Sequence, residues 1–569
     1  MNQKPLSGHQ KSGDKGKTIP LHGIRPFHPN YNRVGRNSNQ DCGPPRSRNV
    51  PQPSSFAPAR TPLRPTLLLA SLFAVLTFLI HFLSSLWGSH LGYGFFRDEL
   101  YFVVCGHHLA WGYVDQPPMV ALQARLAELL FGLSPTGIRI FSFLAASGTV
   151  ALTGILTWQL GGRRAAQALA MTAVLAAPVF LATGNYLSMN SFEPCIWMGA
   201  LLVVLRIAEG SAPQRAWLLF GLLAGLGIEN KHAIVFFLIA LVIGLLLSPQ
   251  RPILFTRECA AGIALLLLLS MPNLAWQWVH HFPTYQFLDT VAHSDKNLKL
   301  PPLAFLREQA DVLLISTLPI WVGGLIWLGF SPYARPWRFV ASTYLIFLGM
   351  MMAMHAKNYY LAPICPVLFA AGAVALARRT PRNWPLFAYS AVLALTFVVA
   401  TGPVTLTLLP PQKYVVYTRP FAPDRGRQEK FTGPLPQILS DRFGWPEMVQ
   451  GFAARYNALP PDVRAQTAIF CGNYGEAGAV TVLGTAYGLP PPISGHQNFF
   501  YWGWGNYTGD SVLTLGNDPR DYANTYAEVV DLGPFDAPWI MDHEHHHYFW
   551  LRHRKRPYAS DWESVKYWY

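Results

Sequence analysis

Seven ionisable residues stand out because each lies beside a long apolar run: Asp98, Glu99, Asp115 and Glu193 as acids, and Lys231, His355 and Lys357 as cations. Charged groups at membrane depth are costly, so a set converging from separate segments signals function. A carboxylate can take a proton from an acceptor hydroxyl. Lysines can hold a phosphate as point charges. A site with both suits the breaking of a bond between a sugar and a phosphate. Each residue also has a plainer reading. Asp98 and Glu99 fit solvated charges at a span end, Lys231 and Lys357 fit interfacial lysines that snorkel, and Glu193, in Ser-Phe-Glu-Pro, fits a helix cap. Their conjunction is what points to chemistry.

The elements that must position them are set by composition. Of 569 residues, 51% are apolar and 13% charged, a balance that excludes a soluble protein of this length. Runs such as Pro65 to Trp87 reach the length needed to cross a bilayer, and counting such runs predicts about eleven spans between residues 65 and 404. The net charge of +14 does not indicate nucleic-acid binding, because much of it sits in residues 1–64. That tail is rich in Pro, Ser, Gly and Asn, with Asp14 and Asp41 its only acids. It is expected to be a disordered cytoplasmic segment that sets topology and touches anionic lipid. It lacks the pattern of a cleavable signal peptide.

With the tail inside, the alternating loops sort by charge. The inner turns carry Arg163 and Arg164, Arg206 and Arg215, Arg251 and Arg257, Arg335 and Arg338, then Arg378, Arg379 and Arg382, as the positive-inside rule requires. The outer loops then hold all seven chemical residues, the first and longest covering residues 88–136. Residues 405–569 follow the last span on the outer side. There an amphipathic pattern near Trp445 to Ala458, a β-like run Thr467 to Cys471, a helical stretch Gly475 to Leu483 and a strand-like Glu528 to Leu532 predict an extracytoplasmic α/β domain. The six cysteines, Cys42, Cys105, Cys195, Cys259, Cys365 and Cys471, form no close pair and no metal or redox motif.

Arg97-Asp98-Glu99-Leu100-Tyr101 followed by Gly112-Tyr113-Val114-Asp115-Gln116-Pro117-Pro118 resembles the first outer loop of the protein O-mannosyltransferase-like glycosyltransferases, a superfamily that includes the aminoarabinose transferases of lipid A. The resemblance continues through Ser188 to Glu193, Gly225-Leu226-Gly227 with Asn230-Lys231, and Lys357 to Pro363, and so covers roughly residues 66 to 380. It implies the polytopic α-helical GT-C fold and a polyprenyl- or dolichyl-phosphate sugar donor. The implied general base is Asp98, whose acceptor would attack the anomeric carbon opposite the phosphate and invert it. Glu99 and Glu193 are implied to orient acceptor or sugar, and Lys231, Lys357 and His355 to stabilise the departing phosphate. Arg97, Tyr101, Asp115, Gln116, Asn190 and Tyr359 complete the expected substrate contacts. No cofactor is implied, and a divalent cation is not required.

Two positions depart from the pattern. Relatives often carry Lys before the Pro-Pro pair, where Gln116 stands here, and Asp in the second outer loop, where Glu193 stands. The outer domain resembles those of bacterial members through Gly444 to Val449 and Asn473 to Ala479. Its aromatic run Asn498 to Trp504 fits sugar stacking or ordinary packing equally. The run Asp542 to His547 reads as a solvated polar turn rather than a metal site. The alternatives to an inner-membrane enzyme with a lipid, glycan or protein acceptor are a transporter or flippase, and a membrane scaffold. No internal correspondence of broken helices favours the transporter. A scaffold gives no reason to gather acids and lysines on one face.

Overall fold

The computed structural model describes residues 62–294, 299–421 and 433–568. The tail, and Cys42 with it, lies outside them. The first described helix, α1 (Leu63–His90), has 28 residues, or about 42 Å at 1.5 Å per residue, more than a bilayer core requires. Its buried side is small and polar, with Thr66, Ala70, Thr77, His81, Ser84, Ser85 and Gly88. Leu68, Leu72, Val75 and Leu83 are exposed. That is a lipid-facing helix, the inverse of one in a soluble protein.

The loop after α1 contains α2 (Arg97–His107) and α3 (Met119–Phe131), and α4 (Pro135–Gln159) then returns against α1. Next come α5 (Arg164–Ala176) and α6 (Pro178–Gly184), bent by 66° where Pro178 removes a backbone donor. The bundle continues with α7 (Met189–Glu209), α8 (Trp217–Asn230), α9 (Ile234–Leu246) and α10 (Arg257–Val279). A β-carbon on Gly221 would lie 2.1 Å from the Gly262 carbonyl oxygen, so α8 and α10 meet backbone to backbone, as small residues allow in membranes. Later helices include Pro302–Val312, bent by 90° from Ile315–Phe330, and the apolar Asn358–Arg379 and Trp384–Thr405.

Among the described residues, six helices are long and apolar enough to cross a membrane, or eight if each bent pair is one span. The chain is a polytopic helical membrane protein. The apolar helices α8 and α9 have 14 and 13 residues. Each is only about 20 Å long, so a count of full-length helices stays below a count of apolar runs.

After the bundle, a small domain carries β1 (Thr467–Phe470), β2 (Ser511–Gly516), β3 (Tyr526–Phe535) and β4 (His546–Arg554) in the sheet order β1-β2-β4-β3. β1 and β2 are parallel, whereas β4 is antiparallel to both β2 and β3, with Ser511 opposite Arg552. Helices Trp445–Asn457 and Tyr474–Leu483 accompany the sheet. The expected α/β architecture and each of its four expected elements are present. The domain is not packed apart from the membrane unit, however. Leu100, Val103 and Val104 of α2 and Val120 of α3 share one buried core with Trp445, Met448, Phe452 and Val480. Cys105, Cys195, Cys259, Cys365 and Cys471 are free thiols.

Candidate active site

α2 carries two adjacent carboxylates that meet different surroundings. Glu99 is fully buried. Its Oε2 accepts from the Phe96 backbone N–H at 2.8 Å, the reach-back half of a capping box. Arg139 of α4 grips both oxygens, Nε to Oε1 and Nη2 to Oε2, each at 2.7 Å. The Leu187 backbone N–H adds a further bond to Oε1 at 2.8 Å. The expectation that Glu99 orients a substrate is corrected by this placement: its oxygens are occupied by protein donors, and it ties α2 to α4 and to the loop before α7.

Asp98 is only partly buried. Its Oδ1 accepts from the Tyr474 hydroxyl at 2.8 Å. Burial pushes the Asp98 carboxyl above its ordinary range, while Tyr474, Arg97 and Lys357 pull it down and Glu99 adds to the rise. Lys357, exposed on the loop before Asn358, therefore shares an electrostatic environment with a carboxylate of the first outer loop. His355 is also exposed, in a turn with φ of 50°.

Asp115 lies beside this centre. The buried Tyr101 donates to its Oδ1 at 3.0 Å, and the Tyr101 hydroxyl accepts from the Asn498 N–H at 3.4 Å. Burial lifts Asp115 to about 7, against the pull of the Tyr101 bond and with a contribution from Asp98. Tyr101, expected to contact substrate, is hydrogen-bonded to Asp115. Gln116 is also corrected. It is fully buried, and its amide nitrogen lies 3.6 Å from the Cys105 sulfur, so the residue before the Pro-Pro pair is turned into the protein.

A second cluster forms where α7 meets the turn between α8 and α9. Lys231 Nζ donates to Asn190 Oδ1 at 2.7 Å and to Glu193 Oε2 at 2.9 Å. Its ammonium lies 4.3 Å from the Tyr360 ring centre and 5.8 Å from that of Tyr359, positions suited to cation–π attraction. Glu193, Asn190, Lys231 and Tyr359 are thus brought together as a group. Tyr186 lies between this cluster and the first: burial, with Asp98 adding to it, lifts its phenol to about 12 against the pull of Asn190 and Ser188.

Arg97 points away from these clusters. It donates to Glu544, stands 3.5 Å from Asp441 Oδ1, and lies near the Trp445 ring. Its expected substrate contact is replaced by a link to the outer domain. Glu476, Glu544 and His546 offer ligand atoms within 4.8 Å of one another, but the Arg97 guanidinium already supplies positive charge to Glu544. The solvated-turn expectation for Asp542 to His547 fits His545 and His547, which pair at the surface with Asp536 and Asp531. It fails for Glu544, which is buried.

Arg139, Tyr186, Tyr360 and Tyr474 were missed as site residues by sequence reasoning. Tyr186, Tyr360 and Tyr474 each fall in or beside a noted motif, yet nothing in their spacing reveals their partners. Arg139 looks like an ordinary charge near the start of a span.

Residues 115–276 match the family described as dolichyl-phosphate-mannose-protein mannosyltransferase. The fold is similar to that of ArnT from Cupriavidus metallidurans in the apo state, at 14% identity and a TM-score of 0.55, over 84% of this chain and 97% of that one. The same protein bound to undecaprenyl phosphate aligns at 15% identity with a TM-score of 0.55 and the same coverage, 84% and 97%. No curated protein sequence matches the chain. Residues 115–276 thus match a mannosyltransferase family model and the chain shares the fold of ArnT, and both agree with the resemblance read from its motifs. The family description concerns mannosyl transfer, the structural likeness shows the fold, and neither comparison supports the transporter alternative.

Proposed function

We propose that this membrane glycosyltransferase moves a sugar from a polyprenyl-phosphate donor to an acceptor hydroxyl or phosphate at the outer face of the cytoplasmic membrane, with inversion at the anomeric carbon. The observation that carries the reading is Asp98 itself, a partly buried carboxylate of α2 that accepts from the Tyr474 hydroxyl at 2.8 Å and feels the positive charge of Lys357, a residue far away in sequence. The basic inner turns support an outward-facing site with a cytoplasmic amino terminus. The donor class rests on the family match and on the neighbour that binds undecaprenyl phosphate.

In this reading Asp98 removes the proton as the acceptor oxygen bonds to the anomeric carbon. The bond from that carbon to the phosphate oxygen breaks, and the lipid phosphate leaves with the electron pair. Lys357, His355 and Lys231 stabilise its charge. Lys231 already holds Glu193 and Asn190, so Glu193 acts through the lysine, keeping it aimed. Asp115 and Tyr359 border the substrate space, while Glu99 keeps α2 in place. Acceptors compatible with this chemistry are a lipid, a glycan or a protein.

Asp98→Asn tests the base. In proteoliposomes supplied with a polyprenyl-phosphate sugar, transfer is expected to vanish while the thermal unfolding curve stays unchanged. Full retained transfer refutes the assignment.

A further inference from the structure

The C-terminal domain hydrogen-bonds the candidate base through Tyr474. Helix Tyr474–Leu483 starts with Asn473 as its cap, whose Oδ1 accepts from the Gly475 and Glu476 N–H groups at 2.9 and 3.0 Å. This fixes the first turn of the helix and with it the direction of Tyr474. The helix then lies against α2 at a separation that only glycine permits. A β-carbon on Gly478 would stand 3.0 Å from the Leu100 carbonyl carbon and 3.1 Å from the Tyr101 nitrogen, and one on Gly475 would stand 2.5 Å from Arg97 Cγ. The Tyr474 ring packs on Tyr101, with centroids 5.1 Å apart, and on His496 at 5.0 Å. Its backbone N–H donates to His496 Nδ1 at 3.1 Å. Held on these sides, the hydroxyl has a fixed aim at Asp98.

We infer that Tyr474 of the outer domain is a positioning residue for the transfer reaction, orienting the Asp98 carboxylate and keeping it ionised, so that the outer domain is a working part of the active site. The inference rests on the assignment of Asp98 as base. A carboxylate with one oxygen held by a phenol presents the other toward an acceptor, and a hydrogen bond to the charged form favours that form. The other charged groups around Asp98 act in both directions. Arg97 and Lys357 favour ionisation and Glu99 opposes it. Tyr186, Asp115 and Asp441 also feel the Asp98 charge. Tyr474 is the neighbour that donates a hydrogen bond to it directly.

The test is the pH profile of transfer by full-length Tyr474→Phe in proteoliposomes with a polyprenyl-phosphate sugar, run beside the parent and Asp98→Asn. Losing a hydrogen bond to a charged group is expected to slow transfer ~10- to 100-fold at neutral pH and to move the acidic limb about one pH unit upward. Gly478→Ala, which forces the helix off α2, is expected to move the limb the same way by a smaller amount, and it carries the test if the phenylalanine variant does not fold. An unmoved limb in a folded variant overturns the role of Tyr474 if Asp98→Asn is inactive. An active Asp98→Asn overturns the base assignment itself.

Discussion

Asp98 and Glu99 are neighbours on α2, yet the two sides of that helix have opposite characters. On the Glu99 side, a fully buried carboxylate is gripped at both oxygens by Arg139 and capped by two backbone N–H groups. On the Asp98 side, a partly buried carboxylate has one phenolic donor from another domain and cations that influence it through space. The contrast teaches that adjacent acids in one motif can divide the work. The one whose hydrogen bonds are met by protein holds the helices together, and the other, with a single protein donor, is the one proposed to do chemistry.

The largest effect that sharpens this contrast is on folding. Arg139→Ala leaves the Glu99 charge buried without its partner, at a cost of about 3–5 kcal/mol. A large drop in thermal unfolding temperature in detergent is expected, where Asp98→Asn gives none. An unaltered midpoint for Arg139→Ala would erase the distinction between the two sides.

A smaller effect is expected at the second cluster. Lys231→Ala removes the charge proposed to hold the phosphate and frees Glu193 and Asn190, so the donor KM should rise about tenfold, the cost of one charge-assisted contact. Adding Glu193→Gln should cost less than the sum of the single changes, because the two residues act as one unit. Additive effects in the double-mutant cycle would separate them.

A pH-dependent effect is expected in the C-terminal domain. Burial, with Glu544 adding to it, lifts Glu476 to about 8 from an ordinary value of 4.5. The folded state therefore prefers the protonated acid. The resulting stability is complete below the unfolded value of 4.5 and is lost as pH rises toward about 8. Glu476→Gln, which mimics the protonated form, should match the parent near the acid end and exceed it in unfolding temperature above pH 8. Equal midpoints at alkaline pH would show that Glu476 is already ionised at little cost.

Much of the fold was legible in the sequence because bilayers impose a simple rule. Lipid forces backbone hydrogen bonds into helices, and helices must be long and apolar, so runs and basic turns reveal the membrane unit. The α/β domain was legible for a similar local reason: its periodicities give Trp445–Asn457, Tyr474–Leu483 and the strands directly. Asp98, Asp115, Glu193 and Lys231 of the candidate site stood out in the sequence because their charges lie against apolar surroundings. Their pairings were not legible. Gln116 and Tyr101 looked like substrate contacts because they sit in the motif, but motif membership does not reveal which way a side chain turns.

By itself the sequence determined that this chain is a membrane protein, that its charged residues flank apolar runs, and that its last third is a mixed domain. All of these follow from local properties, the length of apolar runs and the sign of charges. Only the tertiary structure decided that Arg139 claims Glu99, that Lys231 serves Glu193 and Asn190, and that Tyr474 reaches Asp98. Those pairings join residues that are distant in sequence, and they arise when whole helices pack. The aim of a hydroxyl depends on a glycine that lets two backbones touch, which no local pattern encodes.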